Sequence, residues 1–314
     1  MRKGFISELA RLGTSDPRVW LLIADVGFGL VEEFEEACPD QFLNLGIAEQ
    51  GITGLAAGLA LSGKVPFFYS IGNFVTHRCM EQLRNDVCYH RANVKVIASG
   101  GGLAYGSLGM SHHVLDDLAH MRALPEMTVV APGDPVEARL ATRAVYEWSG
   151  PCYVRLGRTG ERVIHESDVP FVIGKAIRVR EGDAVTLIST GGMLETAVEV
   201  SDRLAAEDCA ARVVSMHTVQ PIDVDEIAAA AAETGGIVTI EEHVLNGGLG
   251  GAVAEVMADY GLVTSLTRLG IPNRFLRSAG THEYLRRQVN LDPESVLGAV
   301  RHAVDDQSAP VPAG

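Results

Sequence analysis

The sequence contains no C-x-x-C pair: its five cysteines, Cys38, Cys79, Cys88, Cys152 and Cys209, are odd in number and widely spaced. Such spacing offers neither a zinc knuckle nor a dithiol redox motif, and it predicts a protein of the reducing cytoplasm. Nor is there an uninterrupted apolar stretch near the roughly 20 residues that a membrane span requires. The alanine run at 228–232 is bracketed by acids. The N-terminal segment MRKGFISELARLG breaks its apolar residues with Glu8 and Arg11 at helical spacing, unlike the core of a secretory leader. Bases are in deficit too, 26 Lys and Arg against 40 Asp and Glu, for a net charge of −14. A surface of that sign repels nucleic acid and anionic membranes. Any phosphorylated ligand must then be met by a local cluster of Arg, Lys or backbone N–H groups.

What remains is the composition of a folded, soluble protein, 47% apolar and 21% charged. At 314 residues the chain is longer than one hydrophobic core usually organises, so two cores are expected. The first half alternates β-rich runs (WLLIADV, VPFFYS, VKVIAS, MTVVAP) with helix-like segments, and the second restarts with AVTLIST, ARVVSMHTV and GIVTIEEH. This rhythm predicts an α/β fold of two consecutive domains, each built on a mainly parallel sheet. The polar, turn-rich stretch 161–182 reads as a linker between a first domain at 1–160 and a second at 183–304. Residues 305–314 read as a flexible tail.

Residues 40–63, DQFLNLGIAEQGITGLAAGLALSG, place one carboxylate, Glu49, at the mouth of a helix that has no further charge before Lys64. A helix of Gly, Ala, Leu, Ile and Thr reads as buried all round, which leaves Glu49 partly desolvated. The residues alone admit either a capping acid satisfied by backbone N–H groups or a working proton carrier. In HHVLDD, His112, His113, Asp116 and Asp117 could share a helix face as metal ligands, but that spacing is common by chance and no metal is expected. Arg155 and Arg158 in CYVRLGR are either anion-binding forks or partners in surface salt bridges. NGGLGGA at 246–252 follows a strand and opens a helix, yet it lacks G-x-G-x-x-G spacing, so a packing turn is expected.

In this order, NLGIAEQ, AAGLALSGKVPFFYS, GMSHH and PCYVRLGR resemble the pyrimidine-binding and C-terminal domains of transketolases and deoxyxylulose phosphate synthases, from about residue 5 to about residue 305. They are similar, more distantly, to the β subunits of 2-oxo-acid dehydrogenase first components. The resemblance implies a thiamine-diphosphate enzyme in which Glu49 matches the glutamate that hydrogen-bonds N1′ of the aminopyrimidine and relays its proton. It implies an aromatic side chain packed on the pyrimidine, with Phe74 the first candidate in YSIGNFVTHR and Tyr69 the second. His112 matches the histidine beside the reacting carbon, and Arg155 the arginine that holds a sugar phosphate, with Arg158 assisting. The second domain would mainly support self-association, which makes Glu242 and His243 interface or structural residues.

Leu108 stands where transketolases carry the aspartate that reads the donor's 2-hydroxyl. Gly100 falls near the place of a substrate-facing histidine, leaving that side of the pocket smaller and less polar. No G-D-G segment is followed by Asn, the motif that anchors the diphosphate through Mg²⁺; EGDAV at 181–185 leads into a strand instead. The resemblance therefore implies thiamine diphosphate and Mg²⁺ held by a partner, a transketolase N-terminal-type subunit, in a heterotetramer. The expected reaction is transfer of a two-carbon ketol unit between sugar-like, phosphorylated substrates. The alternatives are a β-type subunit that decarboxylates a 2-oxo acid and transfers the acyl unit, and a non-catalytic scaffold. A scaffold would be expected to lose Glu49 or His112.

Overall fold

The structure, a computed structural model, describes residues 1–157 and 160–308. β1 (Val19–Ile23), β2 (Phe42–Asn44), β3 (Val65–Ile71), β4 (Lys95–Ser99), β5 (Thr128–Val130) and β6 (Cys152–Leu156) come from the first half. The second half supplies β7 (Ile177–Arg180), β8 (Val185–Ser189), β9 (Ala211–Ser215), β10 (Thr218–Gln220), β11 (Gly236–Val244) and β12 (Ser265–Ile271). They form two sheets, ordered β10-β5-β6-β4-β3-β1-β2 and β12-β11-β8-β9-β7. Strand pairing is parallel throughout except at two edges, where β10 meets β5 and β7 meets β9 antiparallel. Every residue of β4 and β6 is buried, because helices cover both faces of the sheet. On one face, Phe5, Ile6 and Leu9 of helix Arg2–Ser15 join Ala138, Ala141 and Val145 of helix Pro135–Glu147. The other face is covered in part by helix Glu49–Leu61 through Ile52, Ala56 and Ala57. Among the described residues no helix is long and apolar enough to cross a membrane.

The α/β class and the two mainly parallel sheets agree with the sequence pattern; the boundaries do not follow it cleanly. The stretch read as a linker ends in a strand, since residues 177–180 form β7 at the rim of the second sheet. Its sequence IRVR alternates half-buried Ile and Val with exposed Arg, a charged pattern that suits an edge open to water. Although β10 lies within the second half, it pairs with β5 and so completes the first sheet. Helix Pro293–Ser308 runs past the expected start of the tail.

One helix N-terminus gathers the pieces. Helix Pro135–Glu147 starts with Pro at its first position and Asp134 as its cap, whose Oδ1 accepts from Glu137 N at 2.7 Å. Asp134 Oδ2 accepts from Ile164 N and His165 N, which ties down the segment between the domains. Glu137, fully buried, accepts from Gly133 N, from His165 Nε2 at 2.9 Å and from Ser215 Oγ at the end of β9. Burial pushes the Glu137 carboxyl up, but the His165 contact and the other donors hold it below the usual range. The hydrogen bond to Glu137 raises the His165 pKa against the opposing effect of burial.

A histidine raised in the folded state stabilises fully below its unfolded value, about pH 6.5, and loses that contribution as pH rises through its folded value. The depressed Glu137 acts at the other end, losing its contribution as pH falls through its folded value. The thermal midpoint of the native chain is therefore expected to fall more steeply than that of His165→Gln as pH rises above about 6.5. Scanning calorimetry at fixed ionic strength measures this, and parallel curves would show that the pair carries no charge-linked stability.

Candidate active site

The chain passes from β1 outward to β2 and then crosses back to β3 on the other side of β1. The carboxyl ends of β1 and β3 thus flank a reversal of winding, the position at which open α/β sheets form a ligand crevice. Three segments start there: the turn and helix after β2, the helix after β3 and the loop after β4.

After β2, Gly46 at φ +69° turns the chain toward helix Glu49–Leu61. Asn44 Oδ1 accepts from Gly46 N and Asp25 N, and Asn44 Nδ2 donates to Asp25 Oδ1 at 3.1 Å, which fixes the turn. Glu49 is the first residue of the helix and only 4% exposed. Its Oε2 accepts from Arg78 Nη1 at 3.0 Å, and Oε1 has no partner among the described residues. The helix itself is not buried all round. Gln50, Gly51, Leu55, Gly58 and Leu61 form an exposed side. One sheet covers only one face of a helix, and a second apolar face is left for something else to cover. Phe28 and Ile47, exposed by 71% and 75%, continue this apolar rim beside Glu49.

After β3, helix Gly72–Thr76 presents a half-buried Phe74. Arg78, four residues on and hence near the same helical face, places its Cζ 4.1 Å from the Phe74 ring centroid. His112 ends a short 3-10 turn, Met110–His112, and its ring meets Phe74 edge to face with centroids 5.3 Å apart. Asn73 Nδ2 donates to the carbonyls of Ser111 and His113, so it grips the backbone on both sides of His112. Ser111 Oγ lies 3.0 Å from His112 Nδ1, leaving Nε2 without a protein partner among the described residues. Partial burial, then His113 and Arg78, push the His112 pKa below the usual histidine range, so the imidazole is neutral near pH 7. Glu49, Phe74 and His112 thus lie in one neighbourhood, joined by Arg78 and Asn73. Neither of these was apparent from the sequence; the only signal was their spacing around Phe74.

After β4, Gly100 at φ +85° leaves no smaller, less polar space. A Cβ there would lie 2.1 Å from Tyr105 Cε2, so the Tyr105 ring fills the room that the glycine vacates. Tyr105 Oη is 2.7 Å from Ser99 Oγ and accepts from Arg2 Nη1, which keeps this wall polar. Tyr105, Ser99, Asp25, Phe28, Tyr69 and Leu108 line a pocket of about 240 Å³. Leu108 is 56% exposed at its mouth, so the apolar replacement noted in the sequence does face the pocket.

Tyr69 is 1% exposed and stacked on Phe5 with centroids 6.0 Å apart. One face of its ring is thus covered, whereas Phe74 is half-buried. Arg155 also departs from expectation. It is 5% exposed; its Nε lies 3.0 Å from Asp117 Oδ2, and its Nη2 donates to the carbonyls of Val114 and Glu242. Asp117, fully buried, also accepts from Tyr153 Oη at 2.6 Å. A guanidinium engaged by a buried carboxylate and two carbonyls has no fork left for a phosphate. Arg158 lies outside the described residues. His112, His113, Asp116 and Asp117 do not form one cluster, because His113 turns inward to Gly106 O and Asp117 to Arg155.

A larger cleft of about 590 Å³ lies between the domains, away from Glu49, and is lined by Glu161, Glu195, Glu242, His282 and Arg286 among others. Glu242 there already binds His282 Nε2 at 2.6 Å and Arg286 Nε at 2.8 Å. His243, fully buried, accepts from Ala119 N, consistent with the structural role expected for it and Glu242. In NGGLGGA the helix N–H groups of Leu249 and Gly250 are taken by Glu241, whose carboxyl burial pushes up to about 7. A Cβ on Gly248 would lie 2.0 Å from Glu241 Oε2, so this loop is a packing turn with no room for a pyrophosphate.

Residues 1–161 match the family described as transketolase, pyrimidine binding domain, and residues 174–296 match the transketolase C-terminal domain. The chain is 35% identical to one subunit of the apulose-4-phosphate transketolase of Phocaeicola vulgatus over 94% of both chains. It is 33% identical to a 6-deoxy-6-sulfo-D-fructose transketolase subunit of a Clostridium species, over 97% of this chain and 94% of that one. A split-gene transketolase solved as an inactive β4 tetramer superposes with a TM-score of 0.87 at 37% identity, covering 97% of each chain. With Glu49, Phe74 and His112 gathered at the strand ends of the first domain, these matches place the chain in the transketolase family, as its pyrimidine-binding and C-terminal half.

Proposed function

We propose that this chain is the pyrimidine-side subunit of a two-chain transketolase that moves a two-carbon ketol unit between phosphorylated, sugar-like substrates. The observation that carries this reading is the buried Glu49 carboxylate, with one oxygen unpartnered, beside a half-buried Phe74 ring and a neutral His112. The family implies dependence on thiamine diphosphate, and these residues fit an aminopyrimidine: an acceptor for its ring nitrogen and an aromatic face to pack on it. When bound, that cofactor supplies a carbon nucleophile for carbonyl substrates. Glu49 offers Oε1 as the atom through which a proton passes to and from the ring nitrogen, oriented by Arg78 on its other oxygen. Phe74 and the surrounding apolar rim exclude water from that proton. His112 is held by Asn73 through its flanking carbonyls and offers Nε2 to a developing alkoxide as hydrogen-bond donor or proton carrier.

The exposed apolar side of helix Glu49–Leu61 and the missing G-D-G…Asn motif both support a second chain that holds the diphosphate and Mg²⁺. The relatives are themselves named as subunits of transketolases, and the neighbouring structure is a β4 assembly; both support the same division, including self-association. Leu108 at the pocket mouth favours a donor with little polarity beside the reacting carbon. That observation keeps 2-oxo-acid decarboxylation with acyl transfer as the second reading.

Calorimetric titration of thiamine diphosphate with Mg²⁺ is expected to show tight binding in a mixture with the diphosphate-side subunit and none to this chain alone. Tight binding to the isolated chain would overturn the division of labour. In the reconstituted complex, Glu49→Gln should lower turnover by about 10²-fold or more while assembly, read by sedimentation, is unchanged. Near-native turnover would remove Glu49 as proton carrier. Arg155→Ala should lower the thermal midpoint markedly, since it strands Asp117 in the interior. Arg158→Ala should instead raise KM for phosphorylated substrates more than for unphosphorylated ones. An equal effect on both substrate classes would take the phosphate role from Arg158.

A further inference from the structure

His77, Asp116 and His120 have no part in the site described so far. His77 ends helix Gly72–Thr76, Asp116 caps helix Asp117–Arg122, and His120 lies within that second helix. His77 Nε2 is 3.2 Å from Asp116 Oδ1, and the two imidazoles meet edge to face with centroids 4.9 Å apart. One ligand atom from each residue lies within 4.8 Å of the other two. His120 Nδ1 is buried with no hydrogen-bond partner. Leaving such a group unpaired is unfavourable, and a coordinated cation would remove the penalty.

The donor set identifies the ligand class. Two imidazoles and one carboxylate suit Zn²⁺ or a neighbouring first-row dication, whereas Mg²⁺ and Ca²⁺ prefer oxygen. Bonds of about 2.0–2.2 Å place tetrahedral donors about 3.3–3.5 Å apart. The His77–Asp116 separation, 3.2 Å, is already close to that size, and His77 is exposed. Exposure of His77 also leaves an open side for a water ligand and an entry path.

We propose that His77, Asp116 and His120 form a binding site for a zinc-type transition-metal dication. The ion clamps together the two segments that build the catalytic crevice. His77 follows Phe74 by three residues and Asp116 follows His112 by four, so the clamp joins their helices without touching Glu49. Its role is to hold the Phe74 and His112 segments at a fixed separation, beyond what the Asn73 contacts achieve alone.

The test uses the untagged full chain, stripped of metal with a chelator that is then removed. Zn²⁺ is titrated by calorimetry, and Co²⁺ by visible absorption, where ligand-field bands report geometry and near-ultraviolet charge-transfer bands report cysteine sulfur. Saturable binding at a single site, a tetrahedral-type Co²⁺ spectrum without a sulfur band, and a Zn²⁺-dependent rise in thermal midpoint are expected. His77→Ala and His120→Ala should each weaken Zn²⁺ binding by about tenfold or more. His90→Ala, at an exposed histidine elsewhere, should leave it unchanged. Circular dichroism of the His77→Ala chain, whose altered residue is on the surface, separates loss of the site from loss of the fold. Absence of saturable binding, affinity unchanged in either histidine variant, or a sulfur band with Co²⁺ would overturn the proposal.

Discussion

The carboxylate of Glu242 joins the two halves of this molecule, and the geometry of the His112 loop depends on it. Buried between the domains, it accepts from Leu103 N at 2.5 Å on one side and from His282 and Arg286 on the other. Its backbone carbonyl accepts from Arg155. Burial alone would push its pKa up, yet Arg286 and His282 hold it well below the ordinary carboxylate range, so it stays charged. Leu103 opens the loop that runs to His112, and that loop closes on itself through the bridge between Gly102 and Val114. A Cβ on Gly102 would lie 2.6 Å from Glu242 Oε1, so the close approach requires glycine there. The second domain is thus a structural support for a loop of the first.

Buried charge in this chain is used mainly for construction. Asp117 with Arg155, Glu137 with His165, Glu242 with Arg286, and Glu241 at a helix N-terminus are all paired internally, although Asp117 Oδ1 keeps no hydrogen-bond partner among the described residues. Such pairs give little net stability over apolar packing, but breaking one leaves a stranded charge, so they fix a single arrangement. Glu49 differs from them in its place, at the first residue of a helix beside the exposed apolar rim, with one oxygen committed to Arg78 and one left over. That spare acceptor at the edge of the rim is what marks it chemically.

The site is also built as half of something. Its polar groups face inward, while its rim of Phe28, Ile47, Leu55 and Leu61 is apolar and exposed. An apolar collar around a buried carboxylate is the surface expected where a second chain completes a water-excluding pocket. Self-association and a diphosphate-side partner would both draw on this kind of surface, and the helix that carries Glu49 lies at its centre.

Much of the fold was legible because it is local. Runs such as VPFFYS and VKVIAS sit as buried parallel strands because their β-branched and aromatic residues suit a sheet covered on both faces. Glu49, Phe74 and His112 could be singled out because each lies in a short recognisable segment, in the helix after β2, the helix after β3 and the loop after β4. Arg155 was misjudged because burial belongs to a residue's surroundings. Only the packing of Asp117, Val114 and Glu242 around it converts an apparent phosphate fork into an interior strut. Likewise, Tyr105 filling the space beside Gly100, Arg78 reaching Glu49 and β10 crossing to the first sheet are pairings between distant segments. The amino-acid sequence by itself determined the α/β class, the family and the place of the Glu49 carboxylate at the mouth of a helix, since periodicity and short motifs are properties of neighbours along the chain. Which charges are spent on scaffolding and which face the pocket was decided by the tertiary structure alone, because desolvation and hydrogen-bond partnership depend on neighbours in space.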